Sequence, residues 1–113
     1  MSEFNKLKEA LIAFRNERDW EQFHDSKNLA SAIGIESAEL NELFLWKNSK
    51  EDIESVDKER LSEELADVFS FAILLAEKND LDISEIVLDK IKKNAEKYPV
   101  GKAKGTSKKY TEL

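Results

Sequence analysis

Apolar side chains recur every three or four positions through most of this chain, the spacing of helices with one covered face. Phe4, Leu7, Leu11 and Phe14 make such a stripe and predict a first helix from about Glu3 to Arg18. An aromatic connector follows at Asp19-Trp20-Glu21-Gln22-Phe23-His24. Asp25 or Ser26 can cap a second helix running to about Trp46, and Gly34 inside it predicts close packing or a backbone approach. Asn48-Ser49-Lys50 breaks the pattern, and a short acidic turn is expected from Glu51 to Ser55. A third helix is predicted from near Asp57 to Lys78, stopped by Asn79-Asp80. Asp82 or Ser84 can cap a fourth, which ends before Pro99. Residues 1–99 therefore read as one helical domain, and residues 100–113, with two glycines and four lysines, as a basic flexible tail.

Composition narrows the class. At 113 residues, 41% hydrophobic and 37% charged, the chain suits a single folded, heavily solvated helical domain. Three glycines and one proline are too few turn signals for a many-stranded sandwich or barrel. With no cysteine and only His24 among histidines, a metal site would be built mainly from oxygen. The net charge of −6 disfavours binding to a nucleic-acid polymer. No signal-peptide core stands at the N-terminus, and the apolar run Val68 to Ala76 is too short to span a bilayer, so a soluble cytoplasmic protein is expected. Between Leu65 and Ala76 the only polar side chains are Asp67 and Ser70. A helix apolar on nearly every side needs cover on every side, which predicts a homo-oligomer built on it; a central helix in a monomeric bundle is the alternative.

The chemistry lies in carboxylates on an otherwise apolar face. Seven acidic pairs have i, i+3 spacing, against about five expected by chance, so spacing alone carries no weight. Context separates two pairs. Glu36 and Glu39 lie on a stripe with Ala32, Ile33, Ile35, Leu40 and Leu43; Glu64 and Asp67 lie between Leu61, Val68 and Phe71. Four inward carboxylates would carry a large desolvation cost, and their repulsion would raise their pKa values. One or two divalent cations remove both problems, and all-oxygen ligation suits Mg2+ or Mn2+. A di-iron bundle would need Glu-x-x-His, which is absent. The plainer alternative is carboxylates at the edge of the core, paired with lysines. Trp20, Phe23 and Trp46 flank the carboxylate helix and could stack on a base, or could be core or interface residues. On the fourth helix, Asn94 and Lys97 could hold phosphate oxygens, or be a capping amide and a solvated lysine.

The stretch Ile35-Glu36-Ser37-Ala38-Glu39 through Leu45-Trp46-Lys47, followed by Glu63-Glu64-Leu65-Ala66-Asp67-Val68, resembles the all-α nucleoside triphosphate pyrophosphohydrolases of the MazG-like superfamily. Arg18-Asp19-Trp20-Glu21-Gln22-Phe23-His24, Tyr98-Pro99 and Lys109-Tyr110-Thr111-Glu112-Leu113 are most similar to its dCTP pyrophosphatase branch. The resemblance implies a four-helix bundle assembled as a dimer or a dimer of dimers. It also implies Mg2+-dependent cleavage of a nucleoside triphosphate to the monophosphate and pyrophosphate, as nucleotide housecleaning. Glu36, Glu39, Glu64 and Asp67 match its metal ligands; Trp20, Glu21, Gln22, Phe23, His24 and Trp46 match its nucleotide-binding residues. Asn94 and Lys97 match positions near the triphosphate. Three positions depart from the common pattern. Ile35 replaces a first glutamate, as in the dCTP branch; Leu11 stands for a base-contacting histidine, and Phe71 for a tyrosine. A carboxylate not fully used as a ligand would take the proton of the attacking water, Glu39 first and Glu63 second. The basic tail could close over the phosphates or simply solubilise the chain. The same chemistry on dUTP or phosphoribosyl-ATP is one alternative; a non-catalytic helical module whose carboxylates meet a partner's basic residues is another.

Overall fold

A computed structural model describes residues 2–113, and among them there is no strand. Six α-helices follow one another: α1 Glu3–Glu17, α2 Ser26–Glu42, α3 Lys50–Glu54, α4 Lys58–Lys78, α5 Ile83–Lys97 and α6 Val100–Ala103. Single 3-10 turns form at Glu21–Phe23 and Tyr110–Glu112. The starts of α1 to α5 are set by side-chain caps. Ser2, Asp25, Ser49, Asp57 and Asp82 each accept a hydrogen bond from a backbone N–H in the first turn that has no partner inside the helix.

The chain divides into two compact units, one through Asp80 and the other Leu81–Leu113. In the first, α4 lies against α2 along much of its length and touches α1. Glu36 meets Glu64, while Asn79 Nδ2 at the far end of α4 donates to Ser26 Oγ at the start of α2 (3.0 Å), so the two helices are antiparallel. Leu29 of α2 and Ile73, Leu74 and Ala76 of α4 are buried there, with Leu43 and Val56 closing the adjoining turns. In the second unit, Tyr98 and Tyr110 pack edge to face at 6.0 Å, and the Lys97 ammonium lies 4.9 Å from the Tyr110 ring centroid. The tail therefore holds local structure of its own.

Three expectations need correction. The second helix stops at Glu42, not Trp46: Leu43 to Trp46 turn, and Trp46 takes φ 64°, a left-handed conformation no α-helix accommodates. Gly34 is not needed for close packing within the chain, because a methyl group there would meet nothing within 4 Å. The first-helix stripe is rotated: Leu7 and Phe14 are about half exposed, whereas Phe4, Lys8, Leu11 and Arg15 are the more covered row. Lysine and arginine stems are apolar enough to line a helix contact while their charged ends reach water or, for Arg15, a carboxylate.

Candidate metal and nucleotide site

Antiparallel packing of α2 on α4 brings the two carboxylate pairs together. Glu36, Glu64 and Asp67 each offer a carboxylate oxygen, and these oxygens lie within 4.8 Å of one another. Glu36 and Glu64 are half-buried and Asp67 is exposed at the rim. Glu39, exposed one turn beyond Glu36 and outside that trio, is near enough for its carboxyl to raise both Glu36 and Glu64. Glu63 is exposed and lies outside the cluster.

The electrostatics follow from the geometry. Burial, first of all, and then the neighbouring Glu39, Asp67 and Glu64 carboxylates push the Glu36 carboxyl up to about 7. Glu64 is raised too, again chiefly by burial and then by Glu39 and Asp67. Oε2 of Glu36 and Oε2 of Glu64 are buried with no hydrogen-bond partner. Such orphaned acceptors are costly and rare. Two of them beside two further carboxylates fit a divalent cation that takes oxygen donors, since one ion would satisfy the lone pairs and cancel the repulsion.

The aromatic residues expected at the site are not gathered in one place. His24 and Phe71 are edge to face at 6.4 Å, and Phe71 lies one turn beyond Asp67 on α4. His24 Nδ1 is buried without a partner. Trp20 packs its edge on Phe14 at 5.7 Å, and the Arg18 guanidinium sits 3.7 Å from the Phe14 ring centroid. Phe23 and Trp46 are exposed, Trp46 by 84%. Glu21 and Gln22 are already engaged: Glu21 Oε2 lies 3.8 Å from Arg15 Nη2, and Gln22 Nε2 donates to the Asp19 carbonyl (2.9 Å) and Asp19 Oδ2 (3.2 Å).

Asn94 and Lys97 belong to the second unit, both exposed on α5. Asn94 joins Ile86, Val87, Lys90 and Ile91 along a shallow hollow, and Lys97 faces Tyr110.

Arg15 is the charged residue that the apolar pattern missed. It is 4% exposed and donates from Nη1 to Glu77 Oε2 of α4 at 2.9 Å. Its signal was present: Arg15 is four residues beyond Leu11, and Glu77 follows buried Ile73 by four. The reasoning that singled out the inward carboxylates applies equally to this pair.

Known proteins resemble this chain over most of its length. Residues 31–113 match the model of the MazG-like family. The chain is 42% identical over 104 residues to dCTP pyrophosphatase 1 of Mus musculus and 41% identical to the Homo sapiens protein of that name. Each match covers 88% of this chain and 61% of the relative, so the chain spans about three fifths of the length of these curated relatives. Among solved structures, a pyrophosphatase from Archaeoglobus fulgidus superposes with a TM-score of 0.84 at 36% identity, covering 88% of this chain and 94% of that one. With a family match over most of its length and relatives at about 40% identity carrying the pyrophosphatase name, this all-α chain belongs to the MazG-like family.

Proposed function

We propose that the chain is a nucleoside triphosphate pyrophosphohydrolase, splitting dCTP or a modified dCTP between the α and β phosphates. The observation that carries this reading is the pair of buried, donor-less oxygens on Glu36 and Glu64 beside Asp67 and Glu39. The names of the relatives at about 40% identity support the substrate.

Glu36, Glu64 and Asp67 would hold Mg2+, or Mn2+, with Glu39 completing the set. Such an ion supplies charge neutralisation for the triphosphate and acidity to water. The chain's own residues do the rest. Water attacks the α phosphorus in line with the departing pyrophosphate, and a Glu39 oxygen takes its proton; Glu63 is the reserve base, though its place outside the cluster makes it the weaker one. Trp20 and Trp46 offer indole faces to the base, with Phe23, His24 and Phe71 as apolar and edge contacts around it. For Asn94, Lys97 and the basic tail, all in the second unit, a triphosphate-binding role rests on the sequence resemblance alone. Leu11 and Phe71 offer the base no hydrogen bond from their side chains, so discrimination between bases rests on stacking and on His24 Nδ1.

Assembly is part of the proposal. Phe69 and Leu65 of α4 and Ile35 of α2 remain 42–60% exposed in one chain, which supports a homo-oligomer, a dimer or a dimer of dimers, on the four-helix-bundle plan.

The test is pyrophosphate release from each dNTP and NTP with Mg2+, with EDTA and with Glu39→Gln. Release fastest from dCTP and lost in both controls supports the whole reading. Equal rates for all bases keep the chemistry and remove dCTP. Absence of pyrophosphate from every nucleotide overturns the hydrolase and leaves the non-catalytic module.

A further inference from the structure

The nucleotide-facing connector has to be held in place by something, because Trp20 and Phe23 are themselves exposed. Its backbone leaves α1 through a reversal at Asp19 (φ 55°), a conformation aspartate tolerates. The Trp20 N–H then donates to the Arg15 carbonyl at 3.1 Å. Beyond the turn, the Phe23 carbonyl accepts from Asn28 Nδ2 at 3.1 Å, which ties the far end to α2. Beside the edge-to-face contact of His24 on Phe71, its polar attachment to α4 runs through a single side chain. The buried Arg15 guanidinium spreads three ways: Nε to Asn16 Oδ1 (3.0 Å), Nη1 to Glu77 Oε2 of α4 (2.9 Å) and Nη2 toward Glu21 Oε2 of the connector (3.8 Å). Among the described residues, the other ion pairs are local, Arg18 with Glu17 and Lys50 with Glu54. Among these residues, Arg15 alone makes ion pairs that cross between elements.

Resting on the nucleotide reading above, we propose that Arg15 is a positioning residue for that site: anchored on Glu77 of α4, its guanidinium fork and its carbonyl hold Glu21 and Trp20 so that the connector presents its aromatic side chains to the base. The planar fork suits this task, since one rigid group sets the angle between two carboxylates on different elements. The side-chain partners of Arg15 are Asn16, Glu21 and Glu77, none of them in the carboxylate cluster. Loss of Arg15 therefore weakens nucleotide affinity without slowing bond cleavage. Lysine would keep one arm at most.

The experiment has two readouts. In a Trp46→Phe background Trp20 is the sole tryptophan, and acrylamide quenching reports its exposure directly, with or without turnover. Arg15→Met should raise the quenching constant of Trp20 about twofold. In the otherwise native chain it should raise KM for dCTP about tenfold with kcat within about twofold, a KM change equivalent to about 1.4 kcal/mol. Arg15→Lys should fall between. Because Arg15→Met removes a buried charge and can impair folding, Glu21→Gln is the second arm. It cuts only the exposed half of the link, so melting should change little while KM and Trp20 quenching rise about threefold and detectably, respectively. A lowered melting temperature in Arg15→Met with quenching and KM unchanged overturns the proposal and leaves a structural ion pair. Unchanged KM and quenching in a folded Glu21→Gln overturn it equally. If the wild-type chain releases no pyrophosphate, the hydrolase reading is what fails, and the quenching arm still decides whether Arg15 holds the connector.

Discussion

Glu36 carries the sharpest consequence at the scale of single residues. Its carboxyl is pushed up to about 7 by burial and by the carboxylates around it, against 4.5 when free. Between those two values the folded, metal-free chain keeps a proton that the unfolded chain has lost. Stability of the metal-free chain should therefore fall as pH rises from about 4.5 to 7 and level off above, the reverse of a salt-bridged carboxylate. Scanning calorimetry of EDTA-treated protein across pH 5 to 8 checks the slope. Added Mg2+ should raise the melting temperature more at pH 8 than at pH 5, because at the higher pH it replaces repulsion rather than competing with protons. Glu36→Gln should melt higher than the metal-free wild type at pH 8 and lose most of the response to Mg2+. A flat pH profile with no Mg2+ response would contradict the cluster's role.

Elements show how far the residue pattern reaches and where it stops. The limits of α4 and α5 and the nearness of Glu36 to Glu64 and Asp67 were legible, because helical spacing and polar caps are local properties of the chain. The rotated face of α1 was not. Spacing treats Lys8 and Arg15 as solvent-facing, whereas the burial of Arg15 depends on what α4 offers opposite it, here Glu77. The early end of α2 was hidden for a similar reason: Leu43, Phe44 and Leu45 continue an apolar pattern through residues that are in fact a turn. Gly34 offers a test at this scale. It stands in the interior of α2 with open space where a side chain would begin, so Gly34→Ala should stabilise an isolated chain by about 1 kcal/mol in urea unfolding. Destabilisation instead would mean that a second chain packs there.

At the scale of the whole molecule, apolar surface outruns what one chain covers. Phe69 is 60% exposed on α4, and Ile35 is 60% exposed beside Gly34 on α2. Burial of such side chains between chains is the simplest account of why the third predicted helix is apolar on nearly every side. Phe69→Lys should leave the fold of a single chain intact, since the side chain contributes little to its core, and should shift the particle seen by light scattering from an oligomer to a monomer. An unchanged mass would move the interface elsewhere.

The carboxylate cluster and the anchor for the aromatic connector share one uninterrupted helix. Glu64 and Asp67 lie in the first half of α4 and Glu77 near its end, thirteen residues beyond Glu64, about 20 Å along the axis. That makes α4 a shaft with two settings keyed to it. One residue inserted between them would lengthen it by only about 1.5 Å but turn one key by about 100° against the other. Both halves could still fold, yet the carboxylate cluster and the Glu77 anchor of the connector would no longer point the same way. Changes in chain length have to enter at the turns on either side of this helix, never within it.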